Sequence, residues 1–330
     1  MKNDYLLKAP LNDQNFRNFV QDALDSKFYR ALDQTIAIYA KKYDYSDLSK
    51  LLDILRKKRI KPSSETFKTI EDRIKSVMNL NTPTATTNIL WGFASLGHVP
   101  DTRLIKTIID HLQNKPEFYD DTHYARSLYA LVLLDSVSKG TIRKKHGLNF
   151  EKEIKARKFD HPAEQKMIHD SCLWLDISHD TSPGEESDKH SAIETQLTSA
   201  FNKAGIPAKM QSTHNEVDEI GHTVDIALRY NEQIVHVEFD GPWHFNRELV
   251  NNYIPILNGS TIFQTALMRK IAPDQGIIRI NHNDLSGKEN DADLLEFVNR
   301  LEDSMYQHPT SGVYMTRKKG SRIKLKPLSL

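Results

Sequence analysis

Up to about residue 170 the apolar positions recur at helical spacing, and the pattern repeats itself. Phe67-Lys68-Thr69-Ile70-Glu71-Asp72-Arg73-Ile74 aligns with Ile105-Lys106-Thr107-Ile108-Ile109-Asp110-His111-Leu112, 38 residues later. The same offset matches Pro62 with Pro100 and Leu52 with Leu90, and then Leu90-Trp91-Gly92-Phe93-Ala94 with Leu128-Tyr129-Ala130-Leu131-Val132. Each unit predicts two helices, the first ending at Gly97 or near Arg59, with a proline opening the turn to the second. A single helical hairpin cannot bury its apolar face alone, so neighbouring hairpins are expected to stack into a solenoid, whose long surface suits peptides or single-stranded RNA. A plain helical bundle with incidental similarity fits the same pattern.

The period changes after a polar stretch, residues 176–190, that contains Pro183-Gly184 and reads as a linker or exposed loop. Ser191 to Ala204 predicts an amphipathic helix with Ile193, Leu197, Ala200 and Phe201 on its buried side, ended by Gly205. Ser191 and Glu194 have the spacing of a capping box. Val224 to Leu228 and Val235 to Phe239 alternate as strands do, and Asn231-Glu232 between them predicts a hairpin turn. A helix from Thr261 to Ile271, a strand from Gly276 to Ile280 and a helix from Asp291 to Met305 follow. The expected class is therefore α plus α/β. A helical-repeat domain over 1–175, its period clearest over 50–135, is followed by the linker at 176–190, an α/β domain over 191–305 and a basic tail over 306–330.

Composition alters little: 38% hydrophobic and 27% charged residues are ordinary for a soluble globular chain of 330 residues, enough for two cores. The net charge of +1 conceals local runs: Arg56-Lys57-Lys58-Arg59 with Lys61, an acidic stretch from Asp176 to Asp188, and only basic charges from Arg317 to Lys326. Such runs fit a polyanion partner or simply solvated faces, and the tail either touches nucleic acid loosely or lies disordered. Cys172 is the only cysteine, which excludes an internal disulfide and a cysteine-rich zinc site. No apolar run approaches the roughly 20 residues that cross a bilayer, and no leader or transit pattern is evident. The expectation is a cytoplasmic protein in a reducing compartment, with export to a host cell also compatible.

The hairpin concentrates the chemistry, because it brings Asp225 close to Glu238 and Asp240. Clustered acids repel unless a cation, a proton or a base offsets them, an arrangement that suits Mg²⁺ or Mn²⁺ holding phosphate. Asp240 equally suits a cap on the Gly241-Pro242 turn. Trp243, His244 and Phe245 follow at once; aromatic rings there could stack on unpaired bases or pack beneath the loop, and packing is expected of Phe245. Gly259-Ser260-Thr261 opens a helix, so it either receives phosphate or merely caps. Arg269 and Lys270, at the other end of that helix, are candidates for the RNA backbone or for solvent.

Val224-Asp225-Ile226-Ala227, Val237-Glu238-Phe239-Asp240-Gly241-Pro242-Trp243-His244-Phe245, Asn258-Gly259-Ser260-Thr261 and Leu267-Met268-Arg269-Lys270 resemble the RAP domain of RNA-associated proteins. Asn88 to Gly97 resembles the 38-residue octotricopeptide repeats that precede such domains. RAP domains are similar in turn to the restriction-endonuclease-like fold. The resemblance implies RNA binding and post-transcriptional control, with nuclease activity as a further option. It implies Asp225 and Glu238 as a metal pair, with Glu194 as a third ligand if it is not a cap. Nucleases of that fold carry a lysine two residues after the glutamate; here that position is Asp240, and His244, Arg269 or Lys270 would have to supply the cation. Three readings follow: an RNA-binding regulator, a Mg²⁺-dependent ribonuclease using Asp225, Glu238, Asp240 and His244, and a protein–protein scaffold.

Overall fold

The helices of the first half start at regular intervals. In the computed structural model, which describes residues 18, 22, 27–179, 192–210, 224–249, 254–285, 290–306, 312–319 and 322–328, they are α1 (Tyr29–Ala40), α2 (Tyr45–Lys58), α3 (Ser64–Val77), α4 (Pro83–Ser95), α5 (Thr102–Asn114) and α6 (Asp121–Val137), followed by the short α7 (Thr141–His146) and α8 (Glu151–Ala156). The starts of α2, α4 and α6, and those of α3 and α5, are 38 residues apart. The boundaries repeat because their chemistry repeats. Asp44 and Asp120 cap α2 and α6, accepting from the amides of Asp47 (2.8 Å) and His123 (2.7 Å). Ser63 and Asp101 do the same for α3 and α5, and Pro83 opens α4. The chain leaves α2 through Arg59 and α4 past Gly97, both left-handed with φ of 57° and 62°. Apolar stripes such as Leu104, Ile105, Ile108, Ile109 and Leu112 of α5 are buried. α4 packs on α2 and α6 on α4. At Gly92 a Cβ would lie 2.7 Å from the Leu52 Cβ, so this backbone approach requires glycine.

These helices, with the rest of the chain to Lys158, form one compact unit that also takes in Phe245–Ser260. Its small sheet joins β1 (Ile60–Lys61), parallel, to β5 (Phe245–Glu248), which pairs antiparallel with β6 (Ile254–Leu257). The Arg247 amide donates to the Arg59 carbonyl at 2.8 Å, and Asn246 Nδ2 donates to the Ser95 carbonyl at 2.8 Å. The predicted linker falls largely on residues 180–191, outside the described residues, as does Ser191 of the expected capping box.

The second unit comprises Phe159–His244 and Thr261–Leu330. It holds α9 (Pro162–Leu175), α10 (Ala192–Lys203), α11 (Gly259–Ile271, from Thr261 onward), the short α12 (His282–Leu285) and α13 (Asp291–Met305). Its sheet runs β2-β3-β4-β7-β8-β9, where β2 is Ala208–Met210, β3 Ile226–Tyr230, β4 Gln233–Asp240, β7 Gly276–Asn281, β8 Val313–Lys319 and β9 Arg322–Pro327. β3 and β4 form the expected hairpin; Asn231 and Glu232 take φ of 48° and 65°, the positive pair of a two-residue turn matched to strand twist. β7 lies parallel to β4 and β8 parallel to β7, while β9 returns antiparallel to β8. Leu197 and Phe201 of α10 and Leu294, Phe297, Val298 and Leu301 of α13 cover one sheet face. The mixture of helix and sheet is as expected, but the segment expected to be a basic tail is instead strand. Its lysines and arginines masked a period of two, in which Tyr314 and Thr316 of β8, and Ile323 and Leu325 of β9, are buried.

Candidate functional site: a buried acid cluster around Arg279

Strand alternation places the acids. On β4, Val235 and Val237 enter the core, which turns His236, Glu238 and Asp240 to the opposite face. The hairpin register pairs Ile226 with Val237, so Asp225, one residue before, stands across from Glu238. Its Oδ2 accepts from the Phe239 amide at 2.7 Å. The parallel register of β4 and β7 pairs Glu238 with Arg279.

Arg279 is fully buried, and its guanidinium organises the cluster. Nε and Nη2 donate to the two carboxylate oxygens of Asp240, at 2.8 and 2.5 Å, and Nη1 donates to Thr265 Oγ1 at 2.9 Å. Nη2 also lies 3.8 Å from Glu238 Oε2. A bidentate fork with a carboxylate is the form in which a guanidinium best tolerates burial. Asp240 is equally inaccessible, and its carbonyl accepts from His282 Nδ1 at 3.2 Å. His244 Nδ1 lies 3.2 Å from Asp240 Oδ1 and 3.3 Å from Thr261 Oγ1. Thr265 donates to the Thr261 carbonyl at 2.7 Å, closing the network.

One cation does not balance three carboxylates. Burial, with Asp225 and Asp240 beside it, pushes Glu238 up to about 8, against the opposing pull of Arg279. Burial also raises Asp225 to about 6; Glu194 on α10 and Asp240 add to the rise, while the Phe239 amide and Arg279 oppose it. His244 is held below its ordinary value by burial, with Arg279 adding and Asp240 opposing. Glu238 therefore holds its proton more tightly than an ordinary glutamate, and one of its buried oxygens, Oε1, has no hydrogen-bond partner.

The expected site residues thus separate into groups. Asp225, Glu238, Asp240 and His244 come together, with Glu194 near enough to act on Asp225. Trp243 is 73% exposed on the short helical turn Pro242–His244, whereas Phe245 is buried, as expected. Thr261 is also buried, its hydroxyl turned to His244. Arg269 and Lys270 both serve carbonyls. Arg269 donates to Pro273 at 2.8 Å, and Lys270 donates to Leu173 and Trp174 at the end of α9 and to the Asp176 carboxylate, at 2.8, 2.6 and 2.6 Å. The cation of the site is Arg279 instead, which sequence reasoning passed over. Its signal was a lone charge inside the apolar run Gly276–Ile280.

Asp225 and the unpartnered oxygen of Glu238 are hard donors that fit one side of a divalent cation, while Asp240 is committed to Arg279. Among the described residues, no group of three or more histidine, cysteine, aspartate or glutamate side chains is arranged to hold a metal ion. Among the same residues, no helix is long and apolar enough to cross a membrane. A search with protein-family models gives no match to this chain, and comparison with curated proteins gives none either.

Proposed function

We propose that this chain is an RNA-binding protein acting in RNA processing or its regulation. Its stacked helix hairpins form a solenoid that holds single-stranded RNA, and its second unit is a RAP-like domain of restriction-endonuclease-like fold that binds or cleaves the strand. The observation that carries the reading is the acid cluster itself, Asp225 and Glu238 on adjacent strands with a buried guanidinium between Glu238 and Asp240 and an exposed indole on the next turn. The 38-residue recurrence of starts and caps, with α2, α4 and α6 stacked in order, supports the solenoid. A protein that engages the phosphates of a single strand releases counterions, so its affinity falls steeply with salt. Titration of a labelled oligoribonucleotide at rising salt is expected to give that slope. Binding that is absent, or indifferent to salt, would sink the reading and leave the scaffold interpretation.

A second reading, a Mg²⁺-dependent endoribonuclease, is favoured by the buried, unpartnered Oε1 of Glu238 beside Asp225. Asp225 and Glu238, with Glu194, would hold the cation, which would supply charge neutralisation on a phosphodiester and an activated water. Arg279 and Asp240 would keep Glu238 in place. RNA cleavage that requires Mg²⁺ or Mn²⁺, stops in EDTA and disappears in Asp225→Ala and Glu238→Ala is the expected result. Cleavage that survives either treatment counts against it.

A further inference from the structure

The three acids do not share their cation equally. Asp240 takes both a terminal and the internal N–H of Arg279, while Glu238 receives only a longer electrostatic contact at 3.8 Å. On its other side Asp240 faces His244, the last residue of the Pro242–His244 turn, and His244 meets Thr261. Thr261 connects back through Thr265 to Arg279. The network therefore has two ends. One is Glu238, which carries the unpartnered oxygen; the other is the turn that holds Trp243 out to solvent, 73% exposed. A buried ion pair is a poor source of stability, since apolar residues of similar volume often serve as well or better. Stability alone leaves this pair unexplained.

We propose that Asp240 and Arg279 are positioning residues, which fix Glu238 on one side and the Trp243 turn on the other, so that the acid and a base-stacking indole are set by one buried network. Trp243 then stacks on an unpaired base, which makes the substrate class a single strand with splayed bases. The ligand in this proposal rests on the RNA-binding reading; the network does not.

The test uses the full chain labelled with 5-fluorotryptophan. Its three tryptophans give three ¹⁹F resonances, and Trp243→Phe assigns the one of interest. The double variant Asp240→Asn/Arg279→Gln removes both members of the ion pair together, so that neither is left without the other. It is expected to move the Trp243 resonance and to leave those of Trp91 and Trp174 in place. In wild type, Trp243→Ala is expected to weaken binding of a labelled oligouridylate about 10-fold, the scale of one base stacked on an aromatic ring. In the double-variant background the same change is expected to cost less than about 3-fold, because the indole is no longer presented; such non-additivity is the signature of coupled residues. An unmoved Trp243 resonance in the folded double variant, or an undiminished cost of Trp243→Ala, overturns the proposal. If the double variant fails to fold, Arg279→Lys takes its place: it keeps the charge and loses the fork, and an unmoved Trp243 resonance there is equally decisive. Wild type that binds no oligouridylate refutes the RNA reading alone, since the ¹⁹F result still decides the network.

Discussion

Glu238 titrates far from where an exposed glutamate does, and the consequence for stability has a definite sign. The folded chain keeps its proton up to about 8, whereas the unfolded chain releases it near 4.5. Folded protein thus binds more protons between those values, and stability falls as pH rises through that window. Asp225 acts in the same direction but only up to about 6, and His244, lowered from 6.5, acts oppositely and only below 6.5. From neutral pH up to about 8, Glu238 therefore governs how this cluster responds to pH. Urea midpoints are expected to fall across that range, and Glu238→Gln to flatten the fall; a variant as pH-sensitive as wild type would contradict the burial argument. Asp240→Ala should be worse than either, since it strands the Arg279 guanidinium in the interior at a cost of ~3–5 kcal/mol, readable in the same urea titrations. The acids of this cluster could be picked out in sequence because they cluster within one hairpin. Arg279 stood out only as a lone charge in an apolar run, and its partner could not be read, because that partner is 39 positions away and only the parallel pairing of β4 with β7 brings them together.

At the level of elements, the regular spacing makes particular positions predictable. Gly92 permits α4 to lie against α2, and Gly92→Ala places a methyl group 2.7 Å from the Leu52 Cβ. Overpacking of this kind typically costs ~1–3 kcal/mol, so the variant is expected to melt several degrees lower. Arg59 occupies the left-handed position that glycine fills at the equivalent Gly97. Arg59→Gly should relieve that conformation and change stability by no more than ~1 kcal/mol, against the entropy glycine adds to the unfolded chain. A large loss on calorimetry would show that the Arg59 side chain has a packing role of its own. The helices were legible because caps, prolines and apolar stripes repeat together. β8 and β9 were not, because strands rich in lysine and arginine look like a charged tail when read for charge before alternation. The excursion from Phe245 to Ser260 was illegible for another reason: strand pairing with β1 leaves no local mark.

Over the whole molecule, that excursion makes the first unit discontinuous in sequence. A fragment ending at Lys158 lacks β5 and β6, leaves β1 as an unpaired edge, and deprives the largely buried Lys61 of Glu248. Such a fragment is expected to melt below the intact chain, and a peptide spanning 245–260, added in excess, to raise its melting temperature by mass action. No response to the peptide would mean that the helices hold this unit together without the strands. The salt titration proposed above also belongs to this scale, because phosphate contacts spread along an array would add up in its slope.

Domains ordinarily fold from the N-terminus as they are synthesised. Here the strands that complete the sheet of the first unit follow β4 in the sequence, so β1 has no strand partner until residues 245–260 have emerged from the ribosome. Arg279 arrives later still, and until it does the acids of the hairpin have no buried counter-charge. A nascent chain arrested before residue 245 is therefore expected to be cut near β1 by a protease that spares a chain from which residue 285 has emerged.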